Sequence, residues 1–119
     1  MLQIKRAYLP AQKDDGFRIL VDRLWPRGMS KEKEAVGLWA KDIAPSTQIR
    51  KEFGHIPGNF PSFKEKYLKE LQSNASMKDF LDTITGKLKQ GNVTLIYGAK
   101  DETYNHAVVL RDFILKKLD

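Results

Sequence analysis

The sequence predicts an α/β domain: a three-layer, Rossmann-like arrangement in which a small, mainly parallel sheet is flanked by helices. Three observations carry that expectation. Residues 17–24 (FRILVDRL) hold an unbroken apolar centre at Ile19, Leu20 and Val21, and residues 93–99 (VTLIYGA) form a β-branched and aromatic run; both patterns suit strands covered on two faces. Between them lie stretches whose apolar residues recur at spacings of three and four, the mark of helices with one core-facing stripe. Strands alternating with helices connect most simply through crossovers that build a parallel sheet.

The elements follow in order. Residues 2–9 read as a first strand, with Ile4 and Ala7 among polar neighbours, and Pro10 ends it. QKDDG is a turn in which Gly16 is free to take a positive φ. The second strand spans residues 17–24 and stops at Pro26. Ser30 then caps a short helix over SKEKEAV, closed by Gly37. Residues 38–41 read as a short extended segment. Ser46 caps a helix that runs to about Phe53 and closes at Gly54, and HIPGNFPS is a loop. Two longer helices follow over about residues 62–72 and 76–90, with Phe63, Tyr67, Leu68 and Leu71 inward on one and Phe80, Leu81, Ile84 and Leu88 on the other. Gly91 and Asn92 turn the chain into the third main strand. The last helix, from about residue 104 to 118, is predicted to point Ala107, Leu110, Phe113, Ile114 and Leu118 at the core.

At 119 residues the chain suits one domain, expected over 1–119, with no internal repeat. No apolar run approaches the ~20 residues of a membrane span, and Lys5 and Arg6 follow too closely on the start for a signal peptide, so a cytoplasmic location is expected. The absence of cysteine excludes disulfides, thiol catalysis and Cys-ligated zinc. The net charge of +6 favours anionic partners, and five of the six arginines lie in the first half. Arg presents a planar fork to phosphate or carboxylate, so that half is the expected anion-binding half.

In open parallel sheets ligands bind beyond the carboxyl ends of the strands. Two predicted strands end in polar residues there, one in VDRLWPRG and the other in YGAKDETYNH. Asp22 and Arg23 pair at the first end or face a ligand. Trp25 packs or offers a platform. Arg27 before Gly28 combines a guanidinium with a backbone that can approach an anion closely. His106 falls in the first turn of the last helix, where the dipole disfavours the imidazolium and leaves a neutral ring suited to proton transfer, with Asn105 as cap or substrate positioner. The two histidines stand 51 positions apart without HxxxH spacing, so no metal site is expected. Neither GxxxxGK[ST] nor GxGxxG occurs, and no cofactor is expected; Ser30 or Ser46 with His106 and Asp22 lacks the GxSxG elbow of a hydrolase.

The segments RILVDRLWPRGMSKEKE, LWAKDIAPSTQIRKEFGH, FKEKYLKEL and VTLIYGAKDETYNHAVVL together resemble the YeaO-like branch of the family called domain of unknown function 488, over nearly the whole chain. The resemblance implies a small, cytoplasmic, Rossmann-like protein of bacteria or archaea and brings no established activity. It marks DRLWPRG and Ser30, Lys41 with Ala44-Pro45-Ser46, and Asn105-His106 as signature positions. Gly37 departs from it, standing where relatives tend to show Asp, and Glu52 stands where an aromatic residue is common. It also adds a third contributor to the cleft: Lys41, either a surface partner of Asp42 or an ammonium beside Arg27, with Ser46 offering a helix N-terminus to an anion.

The resulting expectation is a protein, enzyme or binder, for a phosphate-bearing or nucleotide-like small molecule. Arg23, Arg27, Gly28, Lys41, Ser46 and Trp25 hold the anion, while Asp22, His106 and Asn105 supply proton transfer and positioning. Two alternatives stand beside it. One is a nucleic-acid-binding module, motivated by the charge and the aromatics Trp25, Trp39 and Tyr104; the other is an interaction protein in which Asp22, Arg27 and Lys41 form a buried ion network.

Overall fold

A computed structural model describes all of residues 1–119. It is an α/β protein with a four-stranded, wholly parallel sheet in the order β1-β4-β2-β3, where β1 is Leu2–Arg6, β2 Phe17–Leu20, β3 Leu38–Trp39 and β4 Val93–Tyr97. The helices are α1 (Lys31–Glu34), α2 (Thr47–Phe53), α3 (Phe60–Gln72), α4 (Met77–Leu88) and α5 (His106–Leu118). Together they flank the sheet in a Rossmann-like, three-layer arrangement.

The register explains which residues serve which face. Ile4, Leu95 and Ile19 form one row across the sheet, and Gln3, Thr94 and Arg18 form the neighbouring row, which must point the other way. The Ile19–Leu95 face carries the main core, closed by Phe63, Tyr67 and Leu71 of α3, Phe80 and Ile84 of α4, and Leu110 and Ile114 of α5. The opposite face is thinner. Ala7, Leu20 and Ile96 pack there under Trp25, Val36 and Trp39. This division follows from handedness: the connection from β2 to β3 runs outward and that from β3 back to β4 runs inward, so right-handed crossovers place them on opposite faces.

Several predicted boundaries move. β1 ends at Arg6 rather than at residue 9, and β2 ends at Leu20, because Val21 still donates to the Ile96 carbonyl but the chain then swings away toward Trp25. The first helix is closed not by Gly37 but by Ala35, which takes the left-handed conformation at φ 47. Gly37 serves another purpose, since a Cβ there would lie 2.4 Å from the Phe17 ring. α3 begins earlier than predicted, at Phe60, with Pro61 in its first turn, and Leu118 of α5 is exposed rather than inward. Gly16 does adopt the positive φ expected of it, at 64°, and its missing side chain admits the Asn92 carbonyl, which would stand 2.0 Å from a Cβ.

One feature had no sequence-level warning. Arg18, in mid-strand, is almost fully buried, and its guanidinium meets Asp15 at 2.6 Å and Glu34 Oε2 at 3.0 Å while Nε donates to the Glu34 carbonyl at 2.6 Å. Lys5 adds 3.1 Å contacts to both Asp15 oxygens. Burial works to raise the Asp15 carboxyl, but the Gln12 amide, Lys5 and Arg18 outweigh it and hold it below its ordinary value. Glu34 goes the other way: burial pushes it up despite Arg18, and its Oε1 has no hydrogen-bond partner. The buried ion network of this protein is therefore built from Lys5, Asp15, Arg18 and Glu34. Arg27 and Lys41, expected in such a network with Asp22, are both exposed.

Candidate functional site

Adjacent β2 and β4 send their chains to opposite faces, the former toward α1 and the latter into α5, so a crevice is expected between their carboxyl ends. Asp22 closes it. Its Oδ2 accepts from the Gly98 amide at 2.8 Å, while its backbone carbonyl accepts from Trp39 Nε1 at 2.8 Å. His106 completes the junction: Nε2 lies 3.1 Å from the Val21 carbonyl and 2.9 Å from Asp22 Oδ1. Only the Val21 contact is aligned as a hydrogen bond, and Asp22 Oδ1 has no aligned partner of its own. Because the Val21 carbonyl can only accept, Nε2 carries the proton, and Nδ1 is the nitrogen left to take another.

The remaining groups follow from local folding. Asn105 is the N-cap of α5: Oδ1 accepts from Val108 N at 3.1 Å and Nδ2 donates to the Asp101 carbonyl at 2.8 Å, so backbone engages both polar atoms. Asp101 Oδ1 in turn accepts from Tyr104 N and Thr103 N at 2.8 Å, and these bonds hold its carboxyl below the usual range. Arg23 reaches across to the segment before α2, donating to the Ala44 carbonyl at 3.1 Å and to Pro45 at 3.3 Å. Tyr67 lies beneath, donating to the Ile43 carbonyl at 2.7 Å, and burial pushes its hydroxyl well above the ordinary value.

Over this junction opens a pocket of about 240 Å³. Asp22, Arg23 and Leu24 line one wall, Ala99, Asn105 and His106 another, and Pro45, Thr47, Arg50, Lys51, Phe53 and His55 the α2 side, with Phe63 beneath. Its formal cations are Arg23, Arg50 and Lys51 against the single carboxylate of Asp22. Neither Arg50 nor Lys51 makes an ion pair, so both charges are available to a ligand. No group of three or more His, Asp or Glu side chains is placed to hold a metal ion.

Of the residues predicted from sequence, the structure brings Asp22, Arg23, Asn105 and His106 to this pocket. Arg27, Gly28, Trp25 and Lys41 lie outside its lining. Trp25 packs edge-on against Trp39 at 5.4 Å and donates to the Met29 carbonyl, and Lys41 sits over the Trp39 ring at 3.9 Å. Arg27 offers its carbonyl to Tyr8. Ser46 is already occupied: Glu70 of α3 takes its N–H at 3.0 Å and its hydroxyl at 2.6 Å, so an internal carboxylate sits at the start of α2. Sequence reasoning missed Arg50, Lys51, Phe53 and His55. The available signal was RKEFGH, two cations and an aromatic running into a Gly-capped turn that ends in the chain's other histidine.

A parallel sheet whose switch point is sealed by an Asp–amide–His junction, with a small cationic pocket above it, defines a Rossmann-like α/β protein with one preformed candidate ligand site. The chain belongs to the DUF488 family, matching the model described as the inactive DUF488-N3 subclade over residues 1–119. Among curated relatives it is 45% identical over 113 residues to the uncharacterised protein YeaO of Escherichia coli (strain K12), covering 95% of this chain and 96% of that one. It is 35% identical over 113 residues to an uncharacterised protein of Mycobacterium tuberculosis (strain ATCC 25618 / H37Rv), covering 95% and 92%. No solved structure matches the chain.

Proposed function

We propose that the protein binds a small phosphate-bearing, nucleotide-like molecule in the pocket above Asp22 and His106, and that it does so as a binder rather than as a catalyst. The observation that carries this reading is the pocket's composition. Three cations face one carboxylate, and that carboxylate is tied to Gly98, while Phe53, Phe63 and Leu24 supply an apolar wall. An anionic group with a flat apolar body satisfies both halves at once. The volume of about 240 Å³ lies below the ~300–1,000 Å³ of drug-sized sites, which suits a mononucleotide or sugar phosphate held partly in solvent better than a dinucleotide. The engagement of Asp22 and His106 with backbone, and the description of the subclade as inactive, support binding over turnover.

Thermal melting tests this. Millimolar AMP is expected to raise the melting temperature at low salt, adenosine and inorganic phosphate to do so less, and the double variant R50A/K51A to lose the effect while melting unliganded like the parent. Absence of any shift with AMP, ADP or ribose 5-phosphate would end the proposal. A short single-stranded oligonucleotide stabilising more than AMP, with steep salt dependence, would replace it with the nucleic-acid reading.

A further inference from the structure

We infer that His55 is a ligand-contacting residue of this pocket, donating as an imidazolium to the phosphate group beside Arg50 and Lys51. The inference rests on the proposed function and adds the residue that selects the anion. Although the chain's two histidines are 51 positions apart, both line the same pocket. His106 is fixed by the Val21 carbonyl and Asp22, whereas His55 makes no hydrogen bond to protein.

The backbone that places His55 is unusual. α2 ends at Gly54 with φ 57, and His55 repeats the left-handed conformation at φ 57, one of only two non-glycine residues with positive φ. Two successive left-handed residues turn the chain sharply, and the imidazole comes to lie 5.8 Å from the Phe53 ring. A side chain other than glycine in that region costs energy, and such strain collects where a ligand has use for the side chain. The ring thus lines the pocket beside the Phe53 ring, with no protein partner on either nitrogen.

The charged groups facing His55 across the pocket are Arg23 and Asp22 after β2, Arg50 and Lys51 on α2, and His106 on α5; the segment before α5 contributes only Ala99 and Asn105 to the lining. Glu70 of α3 is engaged by Ser46 and is not among the lining residues. A protonated His55 therefore adds to the existing cations Arg23, Arg50 and Lys51. Histidine changes charge between about pH 5 and pH 8, so binding of an anion of fixed charge strengthens on acidification.

Sulfate is the probe of choice, because a phosphate monoester itself titrates near pH 6 and confounds the profile. Amide chemical shifts of the full-length protein are followed during titration with sodium sulfate at pH 5.5 and pH 8, and with AMP at pH 7, for the parent, His55→Asn and Arg50→Ala. Asn accepts left-handed backbone, so His55→Asn keeps the turn. The parent is expected to bind sulfate about fivefold or more tightly at pH 5.5, and His55→Asn to lose most of that gain while its AMP affinity at pH 7 falls only a few-fold. An unchanged pH ratio in His55→Asn, or a flat profile in a parent that binds AMP, would overturn the inference and leave the proposed function standing. Failure of the parent to bind AMP or sulfate at either pH overturns both.

Discussion

Asp22 and Gly98 are bound to each other across the carboxyl ends of β2 and β4: the carboxylate takes the glycine amide at 2.8 Å, and a Cβ on residue 98 would stand 2.8 Å from the same oxygen. The fit requires both an acceptor at 22 and no side chain at 98. Asp22→Ala leaves a half-buried N–H unpaired and is expected to cost about 1–3 kcal/mol, a fall of roughly 3–15 °C in melting temperature. Asp22→Asn keeps an acceptor and should lose much less. Gly98→Ala should resemble Asp22→Ala, and melting curves of the three variants check the ordering.

Arg18 is the centre of the buried network, and removing it strands the Glu34 carboxylate away from water and leaves Asp15 with Lys5 as its one cation. Arg18→Met is expected to destabilise by about 3–5 kcal/mol, measured by urea unfolding at pH 7. Glu34→Gln should cost far less, because it discharges a carboxyl whose Oε1 has no partner.

The two acids of that network also give opposite pH slopes. Asp15 is held below its ordinary value of 3.8, so its contribution is present above that pH and is lost as pH falls through the folded-state value. Glu34 is raised above 4.5, so the folded protein holds that proton more tightly than the unfolded chain does, and stability is gained as pH falls through the raised value. Urea midpoints between pH 3 and pH 7 should show a decline below pH 4 that Asp15→Asn reduces, and a shallow opposite slope above pH 4.5 that Glu34→Gln removes.

Glu70 of α3, held at the start of α2, predicts a fourth effect. Glu70→Ala leaves the Ser46 amide and hydroxyl without their acceptor and is expected to cost about 1–2 kcal/mol, with Glu70→Gln intermediate. Amide exchange should quicken first in residues 46–50.

The sheet was readable because Ile19-Leu20-Val21 and VTLIY suit strands buried on both faces, which alternation with helices makes those of a parallel sheet, and the helices because their apolar spacing is regular. Boundaries were less readable: β2 looked four residues longer since Val21 still pairs with Ile96 while the chain turns for packing reasons supplied by Trp25 and Trp39. Asp22, Arg23, Asn105 and His106 could be placed at one end of the sheet because strand ends converge there. Arg27 and Lys41 could not be separated from them, since the same strand ends feed both faces and sequence does not say which. Ser46 reads as an open helix start until α3 brings Glu70 to it, a contact 24 residues distant. His55 was invisible because its position depends on two left-handed residues in succession, only one of them a glycine.

The side of the sheet that binds is therefore the point to decide. With isotope-labelled full-length protein and AMP at low salt, the amide shifts are predicted to move at residues 22–24, 50–55, 99 and 105–106, around the pocket lined by Arg23, Arg50 and His55. Shifts centred instead on Arg27, Trp39 and Lys41, or no shifts at millimolar AMP, would contradict the account.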